Sequence, residues 1–289
     1  MTNKKIVLAK HAGFCYGVKR AVETTKKLKL ENKDTYICVL GELIHNMQVI
    51  DRLESLGIHT VNKLDEKNNG ICVIRSHGTS PQVIKDIQNK GYKIVDLTCP
   101  DVKKVQKKAI ELVKDGFLLL ILGKSEHPEV IAIEAHAKEY GDNIFVIPDI
   151  ESIKSLEKFI LKSKKIGLVI QTTQRIEFLK EIVNYLIPIT KDLRIVNTIC
   201  PSTALRQTEA RNLAASSDLM VVVGSKKSAN TSHLAEILSD ITKTIHIETA
   251  SELENFSEII EGSENIAVTA GASTPDNIIQ DVLHKLNNF

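Results

Sequence analysis

The apolar positions fall into short unbroken runs separated by stretches with helical spacing. Y-I-C-V-L (36–40), L-L-L-I-L (118–122) and L-M-V-V-V (219–223) each run into a glycine, Gly41, Gly123 and Gly224. A second set, I-C-V-I (71–74), I-G-L-V-I (166–170) and I-A-V (266–268), runs into polar turns, R-S-H-G, Q-T-T-Q and G-A-S-T. Runs this short and without apolar–polar alternation fit strands covered on both faces, as in a parallel sheet. The stretches between them carry apolar residues three and four apart, such as Val18, Ala21, Val22 and Thr25, or Val102, Val105, Ala109 and Ile110. Another such stretch runs from Ser202 through Ala210 and Leu213. That spacing predicts helices with one buried face. Ser80 before Pro81, and Thr274 before Pro275, read as helix caps followed by proline in the first turn. Strand and helix in alternation predict α/β layers.

The same pattern recurs three times. K-I-V-D-L-T-C-P (93–100) returns as R-I-V-N-T-I-C-P (194–201), which places Cys200 101 residues after Cys99. A looser copy, K-I-V-L leading to H-A-G-F-C, ends at Cys15, 84 residues before Cys99. Each cysteine ends a strand-like run and opens a helix-like one. Gly41, Gly123 and Gly224 follow their cysteines by 26, 24 and 24 residues. His45, Glu129 and Asn230 follow theirs by 30 residues every time. Self-similarity of this kind dictates the architecture. It predicts three α/β domains with small parallel sheets, 15–98, 99–197 and 198–289, with segment 1–14 a candidate to join the last sheet. Ligands bind outside the carboxyl ends of strands in such sheets. The cysteines, the segments after the glycines and the polar turns all sit at those ends. If the three domains face one another, three thiols converge on one centre.

Composition narrows the functional classes. Lys and Arg number 38 against 36 Asp and Glu, so no strong field draws the chain to nucleic acid or a membrane. Tryptophan is absent and only 4% of residues are aromatic, which leaves little for base stacking. Lys103-Lys104 and Lys226-Lys227 read as solvated faces. No apolar run approaches the roughly 20 residues of a membrane span. Ile6 to Ala9 is too short for the apolar core of a secretory signal, so the reading is cytoplasmic. Five widely spaced cysteines, an odd number without C-x-x-C, argue against a disulfide framework and against zinc ribbons. Cys38 and Cys72 lie inside apolar runs and read as small buried hydrophobes.

Three thiolates from three repeats can hold zinc with an open fourth position, or an iron–sulfur cluster lacking one ligand. In the second case one iron remains open as a Lewis acid. A helix start favours both a thiolate and a negatively charged group. His45, His77, His127, Ser228, Asn230 and Ser273 then form an anion-binding set with little Lys or Arg charge. Glu129, beside His127, is the candidate proton donor, with Thr172 placed to relay a proton or orient a hydroxyl. His11, His59, His136, His233, His246 and His284 read as solvated loop side chains.

These residues fall in pieces that resemble the 4-hydroxy-3-methylbut-2-enyl diphosphate reductase family. The pieces are A-G-F-C-Y-G-V-K-R-A (12–21), G-E-L-I-H-N (41–46), S-H-G (76–78), D-L-T-C-P (96–100) and E-H-P-E-V (126–130). They continue with Q-T-T (171–173), N-T-I-C-P-S-T-A-L-R-Q (197–207), G-S-K-K-S-A-N (224–230) and T-A-G-A-S-T-P-D (269–276). The resemblance covers essentially the whole chain in order. It implies a trefoil of three α/β domains around a [4Fe–4S] cluster held by Cys15, Cys99 and Cys200, with one iron open toward the substrate's hydroxyl. It implies removal of that hydroxyl as water with two electrons, giving isopentenyl and dimethylallyl diphosphate, the last step of the methylerythritol phosphate route to isoprenoids. Glu129 is then the proton donor, Thr172 orders the hydroxyl, and His127 lies near both substrate and acid. His45, His77, Ser228, Asn230 and Ser273 grip the diphosphate. The family often has a serine where this chain has Ala229, so only a backbone N–H is offered there. No dinucleotide or flavin motif is present, which implies a ferredoxin or flavodoxin as electron donor. A quinolinate synthase-like trefoil is the alternative, but its dicarboxylate calls for arginine clamps, and these loops carry His, Ser and Asn. A zinc- or phosphate-binding module without catalysis is the other rival.

Overall fold

The structure, a computed structural model, describes residues 4–66 and 69–289. The chain runs through β1 (Lys5–Leu8), α1 (Tyr16–Glu31), β2 (Ile37–Leu40), α2 (Met47–Ser55), β3 (Ile58–Val61), β4 (Ile71–Ile74), α3 (Pro81–Asn89) and β5 (Lys93–Asp96). It continues through α4 (Pro100–Lys114), β6 (Leu118–Leu122), α5 (Pro128–Lys138), β7 (Ile144–Ile147), α6 (Ile150–Ser155), α7 (Glu157–Lys162), β8 (Lys165–Ile170), α8 (Ile176–Leu186) and β9 (Asp192–Val196). The last third holds α9 (Pro201–Ala214), β10 (Leu219–Val223), α10 (Ala229–Ser239), β11 (Lys243–Ile247), α11 (Ser257–Glu261), β12 (Asn265–Ala270) and α12 (Asp276–Leu286).

The strands form three four-stranded sheets, ordered β3-β2-β4-β5, β7-β6-β8-β9 and β11-β10-β12-β1. Every pairing is parallel. Each sheet has the same internal order, second-first-third-fourth. In the last sheet the fourth strand is β1, whose Lys5 pairs with Asn265 of β12. The fold is thus α/β with three small parallel sheets. The chain also divides into two compact units, one of residues up to 23, 44–56 and 201–289, the other of 24–43 and 57–200.

Within the second unit, the β6–β8 sheet is covered on both faces. Leu119, Ile121 and Val169 pack against Val105, Ala109 and Leu112 of α4 and Val130, Ile133 and Ala137 of α5. Leu118, Leu120, Leu122 and Leu168 face Ile153, Ile160, Phe178 and Ile182 of α6, α7 and α8. Two apolar faces explain why these strands do not alternate. Gly167 of β8 lets α4 lie close, because a Cβ there would meet Leu112 at 2.9 Å. The sheet of the first unit repeats the scheme. Met220, Val222 and Ala267 meet α9 and α10, while Val221, Val223 and Val268 meet α12. The remaining sheet buries Cys38 and Cys72 side by side on β2 and β4, with Ile87 and Tyr92 beside them.

Two details differ from the sequence reading. Ser80 caps α3 with Pro81 in its first turn, as expected, but α12 begins one residue later than expected, with Pro275 itself at the cap. The Thr274 hydroxyl instead donates to Val223 O at 3.0 Å, tying the turn to β10. His136, His233 and His284 lie on helices and His59 and His246 on strands, so none of these five is in a loop. His59 and His284 are exposed, as expected, whereas His233 is buried. His136 Nε2 contacts Thr79 O and His246 Nε2 contacts Gly224 O. No described helix is long and apolar enough to cross a membrane.

Leu120→Ala should lower stability by about 2–5 kcal/mol, because Leu120 is fully enclosed between β6 and the α6–α8 layer. Ile131→Ala, at a half-exposed site on α5, should stay within about 0.5 kcal/mol. Urea unfolding midpoints of the two variants test the contrast.

Candidate active site

Each cysteine is held by the same backbone bond. The Cys99 N–H donates to Ser76 O at 2.9 Å, and the Cys200 N–H to Thr172 O at 2.9 Å. The Cys15 N–H donates to Ala272 O at 3.3 Å. The acceptors lie in the three polar turns that follow β4, β8 and β12. The bonds fix the register between repeats: Ser76, Thr172 and Ala272 are equivalent, and His77 matches Thr173 and Ser273. Each cysteine then starts a helix, with Tyr16, Pro100 and Pro201 as first residues of α1, α4 and α9. Among the described residues none of the five cysteines is in a disulfide, and Cys15, Cys99 and Cys200 are half-buried while Cys38 and Cys72 are fully enclosed.

In the second unit, Cys200 lies against the start of α4. Its Sγ donates to Asp101 Oδ2 at 2.9 Å, two residues beyond Cys99. The structure therefore brings the helix opened by one repeat cysteine to the thiol of the next. Glu129 is on the first turn of α5 and only 1% exposed. Its Oε1 accepts from the Thr172 N–H and its Oε2 from the Thr172 hydroxyl, both at 2.7 Å. Burial pushes the Glu129 carboxyl up to about 7, against the two Thr172 bonds that favour the charged form, and Asp101 pushes it up further. The proton on Glu129 is thus poised near neutral pH. His127 caps α5, its Nδ1 accepting from the Glu129 N–H at 3.2 Å. That bond leaves the ring proton on Nε2. The His77 and His127 rings meet edge to face, with centroids 5.6 Å apart.

In the first unit, Ser228, Ala229 and Asn230 form the start of α10, and Ser273 follows β12. All four are buried. Asn230 Nδ2 is enclosed without a hydrogen-bond partner, a donor left for a ligand. Ser228, at the cap position, makes no capping bond with its side chain. Gly224, just ahead, has φ +137, a conformation that favours glycine, and lets the chain turn from β10 into this segment. The Ser273 hydroxyl donates to His45 O at 3.2 Å, so the two sit together.

Two positioning groups escaped the sequence reading. Arg206 of α9, almost wholly buried, donates to Ala270 O at 2.6 Å and to Gly13 O at 2.9 Å. Glu209, one turn on, accepts from the N–H groups of Lys10 and His11. Together they clamp the loop that ends at Cys15. The inner face of α9, with Thr203, Arg206, Gln207, Ala210 and Ala214, is largely polar, so no break in an apolar pattern marked the arginine. Asp101 was likewise missed, because one acid in a helix's first turn is commonplace.

Reduced thiols at the carboxyl edge of parallel sheets, with a buried acid alongside, are the layout of an α/β metalloenzyme. The sequence profile of the LytB protein family matches residues 6–287, and the chain belongs to that family of iron–sulfur oxidoreductases. It is 40% identical over 286 residues to a 4-hydroxy-3-methylbut-2-enyl diphosphate reductase of Syntrophotalea carbinolica, covering 99% of each chain. The reductase of Aquifex aeolicus is 37% identical over 285 residues, 98% of this chain and 96% of the relative. A solved (E)-4-hydroxy-3-methyl-but-2-enyl diphosphate reductase, described as the terminal enzyme of the non-mevalonate pathway, superposes with TM-score 0.73 at 36% identity, covering 99% of this chain and 100% of the other. The corresponding reductase of Plasmodium falciparum gives TM-score 0.89 at 29% identity, covering 98% and 87%. The quinolinate synthase-like alternative is not favoured.

Arg206→Met should keep the helix packing but take the guanidinium donor from the buried Gly13 carbonyl and leave the Ala270 carbonyl with the Gly13 N–H at 3.5 Å, at a cost of about 1–3 kcal/mol. In metal-free protein, alkylation of Cys15 should accelerate while that of Cys99 stays unchanged. Mass mapping of the alkylated cysteines against time reads both.

Proposed function

We propose that this chain is a cytoplasmic 4-hydroxy-3-methylbut-2-enyl diphosphate reductase, which converts its substrate to isopentenyl and dimethylallyl diphosphate with two electrons and release of water. The observation that carries the reading is the buried Glu129–Thr172 pair beside helix-opening thiols, in a chain that aligns with such reductases from end to end.

The donor set fits an iron–sulfur cluster. Cys15, Cys99 and Cys200 are half-buried thiols outside any disulfide, each at the positive end of a helix and each pinned by the same backbone bond. We assign them as the three ligands of a [4Fe–4S] cluster, which supplies the electrons and, through one iron without a protein ligand, a Lewis acid. Loading requires the Cys200 thiol to give up the proton it shares with Asp101.

The remaining work falls to side chains. Glu129 holds a proton at its carboxyl for delivery to the substrate, and its burial keeps bulk water from taking it. Thr172 orders the substrate hydroxyl through its own hydroxyl, which Glu129 orients. His127 presents Nε2–H while Nδ1 is tied to the α5 backbone. For the diphosphate we assign Ser228, Asn230 and Ser273 with His45 and His77. The unpartnered Asn230 amide and the start of α10 suit an anion. Ala229 offers its backbone alone. Holding the diphosphate fixes the reactive carbon in place, which converts binding into rate. The absence of a dinucleotide or flavin motif supports a ferredoxin or flavodoxin as the source of electrons.

Anaerobically purified protein should be brown and contain iron and sulfide, and Cys99→Ser should lose iron where Cys38→Ser retains it. Colourless, zinc-loaded, active protein would overturn the assignment. Glu129→Gln should keep substrate affinity and lose about 100-fold or more in kcat. In the native enzyme kcat should fall as pH rises through about 7, where the donor loses its proton. Thr172→Val removes a bond to the charged carboxylate, so the residual activity should lose its proton at higher pH. Steady-state rates across pH 6 to pH 9 decide this.

A further inference from the structure

Helix α4 starts at Cys99 and carries five lysines, Lys103, Lys104, Lys107, Lys108 and Lys114, against two acids. Lys103 pairs with Asp96 at 2.6 Å and Lys108 with Glu111 at 2.6 Å. Lys104 and Lys107 are exposed and have no carboxylate partner among the described residues. The other two helices that begin at repeat cysteines differ. On α1, Lys19 pairs with Glu23, Lys27 pairs with Glu31, and Lys29 bonds backbone carbonyls. On α9, Arg206 is buried. α1 also carries Arg20 and Lys26 and α9 carries Arg211, each of which has an interaction partner, whereas Lys104 and Lys107 of α4 have no carboxylate partner among the described residues.

Their placement is directional. At 1.5 Å per residue, Lys104 and Lys107 lie about 8 and 12 Å along the helix from Cys99. The face that carries Lys103, Lys107 and Lys114 borders a groove of about 450 Å³, whose apolar floor includes Ile84 and Ile110. Asp96 and Glu111 also line it, each paired with a lysine of α4, which leaves Lys107 and Lys114 as its excess cations. A half-apolar groove with that excess suits a protein surface with an apolar centre and a carboxylate rim. It does not suit a small anion, because no buried cation closes over it.

We infer that the α4 lysine face is the docking surface for a small acidic one-electron carrier protein, with Lys104 and Lys107 as its steering charges. The inference rests on the reductase reading above. One turnover breaks the allylic C–O bond, forms a C–H bond and releases water, consuming two electrons and two protons. Two carrier molecules are each oxidised by one electron. A protein carrier cannot enter a buried site, so it must dock where a cluster ligand comes close to the surface. The α4 start at half-buried Cys99 is such a place.

The test compares two reductants on the cluster-loaded enzyme. One is a carboxylate-rich [2Fe–2S] ferredoxin kept reduced by NADPH and its flavoprotein reductase. The other is dithionite-reduced methyl viologen. Lys104→Glu/Lys107→Glu should raise the ferredoxin KM about tenfold or more and flatten its dependence on salt. Lys104→Gln/Lys107→Gln should fall between. Viologen-driven turnover, substrate KM and the visible spectrum of the cluster should not change. An unaltered ferredoxin KM overturns the docking surface while leaving the reductase reading intact. So does a rise in substrate KM with either reductant, which would mean that the lysines steer the diphosphate. Failure of the native protein to turn over with viologen overturns the reductase reading and the docking surface with it.

Discussion

A backbone N–H of cysteine, donated to a carbonyl in the turn after a neighbouring strand, occurs at Cys15, Cys99 and Cys200. Much of the site depends on this bond. It sets where each helix begins, and therefore where the positive end of its dipole points. It also sets the thiol at the carboxyl edge of a sheet instead of along a helix flank. Because the acceptors are Ser76, Thr172 and Ala272, each bond joins a cysteine to a turn that carries a candidate substrate contact or its immediate neighbour. Thiol and polar loop are thereby placed by the same few atoms. Arg206 and Glu209 reinforce the arrangement at Cys15, where the backbone bond is longest.

A second constraint is the enclosure of Glu129. A carboxyl with no solvent must be paired, hydrogen-bonded or neutral. Here it accepts two bonds from one threonine and has no cation beside it. Hydrogen bonding favours the ion and burial disfavours it, and the balance falls near neutrality. An arginine in place of Thr172 would have fixed the charge. The neighbouring Asp101 works in the same direction as burial, so an acid that hydrogen-bonds a thiol also helps keep the proton on another acid.

The parts of this fold that were legible in the sequence are those with two buried faces. The central strands β2, β4, β6, β8, β10 and β12 stand out as apolar runs because helices cover them on each side. The edge strands β3, β7 and β11 did not stand out. They pair on one side only; I-H-T-V of β3 and K-T-I-H-I of β11 mix polar with apolar positions accordingly, a reason that does not extend to I-F-V-I of β7. The thirty-residue offset picked out His45, Glu129 and Asn230 because loop length between glycine and helix is repeated. It could not reveal Thr172 as Glu129's partner, which lies 43 residues on and meets it only through the pairing of β6 with β8. Nor could it show Asp101 or Arg206, whose roles depend on which side of a helix faces a loop remote in sequence. Thr274 misled because its hydroxyl prefers a strand carbonyl to the helix behind it.

The sheet β11-β10-β12-β1 takes its edge from the opening of the chain and its third strand from near the close. On a ribosome, the other two sheets have every strand in hand once residue 196 has emerged, whereas β1 must wait for β12. Residues 5–15 therefore lack their strand partner until β12 has been made. The carbonyls of Val268, Ala270 and Ala272 then hold Ala9, Gly13 and Cys15. Of the three repeat cysteines, the first in sequence is thus the last to be fixed in place by its backbone bond.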